Sequence, residues 1–266
     1  MRVLIGLAYI TVKENVRKRS FYGILLASLL SILFARILME FSLQDLTKVF
    51  IDFSYSLISF FFITSTLFIS TDVMAKDIEK KAVYTLLSRG ISREAYVFGR
   101  AFGLFVFLLI FTLIIGFVFI VATKAINSFT PVAYKKSILT IPAIYTLFVL
   151  LLKAFLLSCV VLFFASFMSS FFLVFLSSVA VYIVGSSVES LHYFVHFNQD
   201  KVPEYVKLII DVLFYAFPSF SSLGTDVILG TQEVNAFILG TKVAKTIVYS
   251  LFLIFTSAFL MRKREF

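Results

Sequence analysis

Between Ser137 and Val188 the chain runs for 52 residues with one charge, Lys153. As a single helix this run would be about 78 Å long at 1.5 Å per residue, more than twice the ~30 Å thickness of a bilayer's hydrocarbon core. It therefore has to cross a membrane twice and turn once. The polar break "FMSSFF", at Ser169 and Ser170, is where the turn is expected. A chain of 266 residues that is 61% hydrophobic, with 35 Phe, extends the same argument to its whole length. Soluble domains are nearer half apolar.

Six spans are expected, near residues 21–40, 53–71, 101–123, 140–167, 171–190 and 240–261. The fold class is an all-α membrane protein forming one transmembrane domain. Residues 1–20, "MRVLIGLAYITVKENVRKRS", mix Val3, Leu4, Leu7, Ile10 and Val12 with basic residues, the pattern of a helix lying in the membrane interface. Arg36 and Glu40, four apart at the far end of the first span, can pair there. The outer segment 191–238 contains a dozen apolar-rich residues between Pro203 and Pro218, too few to span, which read as a short helix on the outer face.

Charge orients this arrangement. The net charge of +9 could suggest nucleic acid, but single-strand binders interleave basic and aromatic residues on one wet surface. Here the aromatics lie inside the spans and the basic residues between them, so no nucleic-acid partner is expected and the surroundings are lipid. With six spans, residues 1–20, 72–100 and the terminal "RKR" share one face, and together they hold 14 of the 24 Lys and Arg. The positive-inside rule puts that face in the cytoplasm, giving a multi-pass protein of the cell (inner) membrane with both termini cytoplasmic. The start has no small-residue cleavage site after a short apolar core and reads as retained. The single Cys159 allows no intrachain disulfide.

The most polar stretch, residues 71–100, is too patterned for a tether. "AKDIEKKAVYTLLS" reads as a separate helix, with Asp77 and Glu79 early and Val83, Leu86 and Leu87 forming an apolar patch. Gly90 is placed just past its end, and Ser92 caps the next helix with Glu94 in the first turn. A short cytoplasmic helix would then sit between spans two and three, leaving Tyr84, Leu86 and Leu87 available to a partner.

"DIEKKAVYTLLSRGISREAYVFGRAFG", residues 77–103, resembles the signature of type-2 ATP-binding-cassette (ABC) exporter permeases. It is most similar to the group that includes the nitrous-oxide-reductase maturation transporter, linked to copper-enzyme assembly. Leu86, Leu87, Ser88, Ile91, Ser92, Arg93 and Gly99 fit the pattern. Arg100 stands for its Lys, Gly90 for its Pro, and Lys81-Ala82 for its Gly-Thr. The stretches "FASFMSSFFLVFLSSVAVYIVGSSVESL" and "YAFPSFSSLG" resemble the family's fourth-to-fifth span hairpin and its outer segment.

The resemblance implies a permease that pairs with itself or a similar permease, seats two ATP-binding subunits and works as an exporter in the family's manner. Glu79, Val83, Tyr84, Leu86, Leu87, Ser88, Gly90, Ser92 and Arg93 would form the ATPase-coupling helix and its flanks. ATP and Mg would be held by the partner ATPase. The chain has no G-x-x-x-x-G-K-[ST] loop, since "GTKVAKT" at 240–246 lacks the spacing, so no cofactor and no enzymatic activity of its own are expected.

Four further residues invite chemistry. His192 and His196 are four apart, with Glu189 one turn earlier, a spacing that can place metal ligands on one helical face. Their aromatic neighbours Tyr193, Phe194 and Phe197 favour an interfacial belt, and no metal is expected. Lys153, mid-span, is expected at a helix interface or on a translocation path. Two rival classes are a membrane scaffold or force-transmitting subunit in a maturation complex, and an ion-coupled carrier, which would want acidic residues at span centres. Substrate is not legible.

Overall fold

The computed structural model describes residues 2–41, 46–83, 88, 90–129, 140–197, 202–217, 220 and 236–264. They form helices α1 (Arg2–Arg17), α2 (Arg19–Met39), α3 (Leu46–Glu79), α4 (Arg93–Phe129), α5 (Thr140–Phe167), α6 (Phe171–Phe197), α7 (Glu204–Ala216) and α8 (Ala236–Lys263). No strand occurs among the described residues. Six helices, α2 to α6 and α8, are long and apolar enough to cross a membrane. The chain is thus an all-helical protein with the character of a multi-pass membrane protein.

Inside apolar surroundings a hydroxyl must find its partner locally. Ser and Thr do so by donating to a carbonyl one turn back, as in Thr66 to Phe62 O (2.8 Å), Thr112 to Leu108 O (2.8 Å) and Ser178 to Val174 O (2.7 Å). Thr66, Thr112 and Ser178 therefore sit buried in the bundle with their hydroxyls satisfied, whereas Ser54 and Ser70 Oγ on α3 have no hydrogen-bond partner among the described residues. The centre is aromatic. Phe21 of α2, Phe62 of α3 and Phe107 and Phe111 of α4 form one cluster, with Phe62 stacked on Phe111 at 5.2 Å. Phe105 meets Phe155 between α4 and α5, and Phe68 meets Phe175 between α3 and α6.

The turn between α5 and α6 falls at residues 168–170, inside the "FMSSFF" break. Other boundaries move. α3 has 34 residues and α4 has 37, about 51 and 55 Å at 1.5 Å per residue, well beyond a ~30 Å hydrocarbon layer. Hydropathy marks only the part of a helix that suits lipid. Backbone hydrogen bonding continues until a residue ends it, so α3 begins before Asp52 and runs through Asp72 and Asp77. The separate helix expected from residue 75 does not begin there, because residues 75–79 continue α3 to Glu79; Ala82 and Val83 are helical again, and Tyr84, Leu86 and Leu87 lie outside the described residues.

α7 packs back on the bundle. α7 follows Pro203 and lies along the last turns of α6. Beyond it, Phe220 is fully buried against Tyr182 (5.3 Å between centroids), and its N–H donates to Gly185 O at 3.3 Å. Gly185 lies twelve residues before the end of α6, roughly 18 Å down its axis. Phe220 thus lies deep alongside α6, well short of its end.

α1 is fastened to α4. Leu7, Ala8, Thr11 and Asn15 form its buried stripe. Opposite them stand Gly99 and Gly103, where a Cβ would lie 2.7 Å from Leu7 Cβ and 2.6 Å from Thr11 Cβ. The G-x-x-x-G spacing is what lets the two helices come this close. Outward, α1 exposes Val3, Ile5, Tyr9 and Ile10.

Gly103→Leu should therefore lever α1 away and cost about 1–3 kcal/mol of stability, the range for an overpacked site. Gly23→Ala in α2 meets open space and should be neutral or stabilising by up to about 1 kcal/mol. Thermal unfolding of the two variants in detergent measures the contrast, and equal losses would discard the close-contact account.

Candidate functional site

The glycine contact encloses a charge. Arg100 lies between Gly99 and Gly103 on the face that α1 covers, and its side chain is 4% exposed. Its guanidinium is met from three helices. Nη1 donates to Thr11 Oγ1 and Glu14 Oε2 of α1, each at 3.0 Å. Nη2 donates to Asp77 Oδ2 of α3. Tyr96, one turn earlier on α4 and fully buried, donates from its hydroxyl to the same Asp77 oxygen at 3.0 Å. Its ring lies 5.6 Å from Arg100 Cζ. A buried arginine persists only when its charge is matched, and here two carboxylates and a hydroxyl take hydrogen bonds from its two Nη groups. Arg100 Nε has no hydrogen-bond partner among the described residues.

The same end of the bundle carries a second set of ties. Asp72 of α3 pairs with Lys18, between α1 and α2, and with Lys76 one turn on (2.6 Å). Arg93 Nη1, at the start of α4, donates to the carbonyls of Arg262 (3.0 Å) and Arg264 (2.6 Å) at the end of α8. Arg264 in turn reaches the end of α5, donating to Ala165 O (3.0 Å), Ser166 O (3.1 Å) and Ser169 Oγ (2.8 Å). Arginine suits this position, because the last carbonyls of a helix lack intrahelical partners and carry the negative end of its dipole. Both ends of the described chain thus meet at one end of the bundle, where α3 stops and α4 starts.

The connection between α3 and α4 ends and begins at defined residues. Lys80 N–H donates to Lys76 O and Lys81 N–H to Ile78 O, and Lys81 then takes φ +59°, the left-handed conformation that terminates helices. Lys81 is a residue that the resembled signature replaces with Gly, the type that adopts this φ most readily. Gly90 has φ +79°, Ser92 Oγ accepts from Ala95 N–H at 3.2 Å, and Glu94 lies in the first turn of α4.

Of the residues expected to meet a partner, Glu79, Ser88, Gly90 and Ser92 are exposed. Arg93 is occupied in the clasp to α8. Val83 is fully buried in the core, so it offers no surface. An apolar residue just past a helix end packs inward where the bundle gives it room. Tyr84, Leu86 and Leu87 lie outside the described residues.

Lys153 is half-buried on α5, with Nζ 5.8 Å from the ring of Tyr182 on α6. That places it at a helix interface. At the opposite end of the bundle, His192 and His196 occupy the last turns of α6, and the third member of their cluster is Asp211 of α7. Asp211 Oδ1 is 3.3 Å from His192 Nε2 and 3.1 Å from His196 Nε2. The side chain of Glu189 lies outside the described residues.

The network around Arg100 was not foreseen as a unit. The available signal was an arginine flanked by Gly99 and Gly103, since a face that admits a helix so closely buries whatever charge stands between the glycines. Thr11 and Glu14, three apart on α1, are the matching pair. No protein-family profile matches this sequence, and comparison with curated proteins finds no match.

Arg100→Ala should destabilise the protein by about 3 kcal/mol, the lower end for breaking a buried ion pair, since Glu14 is half exposed. Arg100→Lys keeps the charge but not the fork that spans two carboxylates, and should recover only part of this. Adding Asp77→Asn and Glu14→Gln to an Arg100→Met change should restore much of the loss, because no unmatched charge is left behind. Unfolding midpoints across the series measure this, and a triple variant no better than Arg100→Ala would point to packing as the cause.

Proposed function

We propose that the chain is the permease subunit of an ABC transporter, acting as a dimer and driven by two copies of a separate ATP-binding subunit. The carrying observation is the polar end of the bundle. There α3 and α4 extend past any bilayer thickness as a hairpin, and Arg100, Asp77, Glu14 and Tyr96 fasten that hairpin to α1. A load applied at residues 80–92 is carried into two spans and the N-terminal helix together, because buried charge pairing and close helix contact leave little slack. The clasp from Arg93 to α8 and from Arg264 to α5 spreads it to two more spans.

Such a hairpin suits a subunit that receives force from a cytoplasmic motor. ATP would favour one arrangement of the permeases through differential contact at this hairpin. The positive charge of this end supports a cytoplasmic placement of both termini, and residues Leu86 and Leu87, together with the exposed Glu79 and Ser88, are the proposed contact with the ATPase. In this reading α1 lies at the membrane interface on its exposed Val3, Ile5, Tyr9 and Ile10 face. The direction is outward, as the resemblance to exporters suggests.

The test is gentle purification of the tagged protein from its native host, alone and as a Leu86→Asp/Leu87→Asp variant, with mass spectrometry of what accompanies it. A stoichiometric ATP-binding subunit should accompany the native protein and be lost from the variant while the variant stays folded. If no ATPase appears after mild crosslinking, the permease reading falls and a membrane scaffold takes its place. An ATPase that binds but whose turnover is indifferent to the permease would likewise favour the scaffold.

A further inference from the structure

We infer that His192, His196 and Asp211 form a binding site for a zinc-like transition-metal dication that ties α7 to α6. The inference stands apart from the permease reading, since it concerns the other end of the bundle.

The argument begins with donor chemistry. Two imidazoles and one carboxylate are a donor set for Zn²⁺ or its neighbours in the transition series, and not for Mg²⁺ or Ca²⁺, which want oxygen shells. Geometry comes next. A tetrahedral ion with ligand bonds of about 2.0–2.1 Å places its donor atoms about 3.3 Å apart. The separations here are 3.3 Å from His192 Nε2 to Asp211 Oδ1 and 3.1 Å from His196 Nε2 to the same oxygen. All three donor atoms lie within 4.8 Å of one another.

The placement is also built rather than accidental. His192 and His196 stand one turn apart on one face of α6, their rings 4.3 Å between centroids. His192 is stacked flat on Phe214 of α7 at 4.2 Å and 19°, which orients its ring. Asp211 lies one turn before Phe214 on the same helix, so the contact that orients the histidine also delivers the carboxylate. Asp211 and His196 remain partly exposed, leaving an entry path and room for a water as fourth ligand. The ion would pin the fold-back that carries Phe220 down to Gly185.

The alternative is that Asp211 only accepts hydrogen bonds from two histidines. Full-length protein in detergent, freed of its tag and stripped with chelator, separates the two. Titration with Zn²⁺ by calorimetry should show one site per chain, and Co²⁺ should give the absorption of a tetrahedral centre. Excess Mg²⁺ or Ca²⁺ should not displace either. His196→Gln and Asp211→Asn, conservative changes at partly exposed positions, should each weaken Zn²⁺ by about tenfold or more while leaving the elution profile unchanged. Zn²⁺ should raise the melting temperature of the native protein and not of the variants. No saturable Zn²⁺ site, or one that both variants leave intact, would overturn the assignment.

Discussion

The arrangement at the polar end depends on how closely α1 approaches α4. Gly99 and Gly103 let Leu7 and Thr11 come to a separation that any side chain would forbid, and Arg100 is caught on the covered face between them. Once buried, the guanidinium must be matched, so Glu14 is held on α1 and Asp77 on α3. Asp77 sits near the C-terminal end of α3, where a carboxylate is unwelcome beside the helix dipole, and Arg100 and Tyr96 offset that. Small residues and a charge network here are two halves of one device. Either alone would leave the N-terminal helix loose or the arginine unmatched.

A similar economy joins the end of the chain to the rest. Helix C-termini leave carbonyls without intrahelical partners, and two arginines use them in sequence, Arg93 on the end of α8 and Arg264 on the end of α5. The effect is that α4, α8 and α5 share a rim at the end where α3 turns into α4. The opposite end is tied differently, by Phe220 against Gly185 and by the His–Asp cluster between α6 and α7. The two ends thus differ in chemistry. One is locked by buried guanidinium pairing, and the other is held by an aromatic contact and a His–Asp cluster.

Some of this was legible from residue order. The turn at residues 168–170 followed from an apolar run too long to be one span, and Gly90 and Ser92 marked the start of α4 through the conformations they favour. The apolar patch was less legible. Val83 has the spacing of a surface stripe with Leu86 and Leu87, yet it is buried, because spacing says which residues share a face and not what that face meets. Likewise Asp77 and Glu79 suggested the start of a separate helix. They are the projecting end of α3, since hydropathy falls at a membrane boundary while backbone hydrogen bonding does not.

The sequence by itself determined an all-helical chain with six helices long and apolar enough to cross a membrane, because ~30 Å of hydrocarbon admits only helices of a certain apolar length and its interior tolerates no open backbone. It also determined where helices could stop, through Ser92, Gly90 and the Pro203 break. Only the tertiary structure decided which charges meet. Arg100 finds Glu14 from 86 positions away and Asp77 from 23. The histidines find Asp211 on a different helix, where the sequence had pointed to Glu189 on their own. Local rules act over one or two turns. Pairings between helices depend on which faces pack, and that is set by the whole bundle at once.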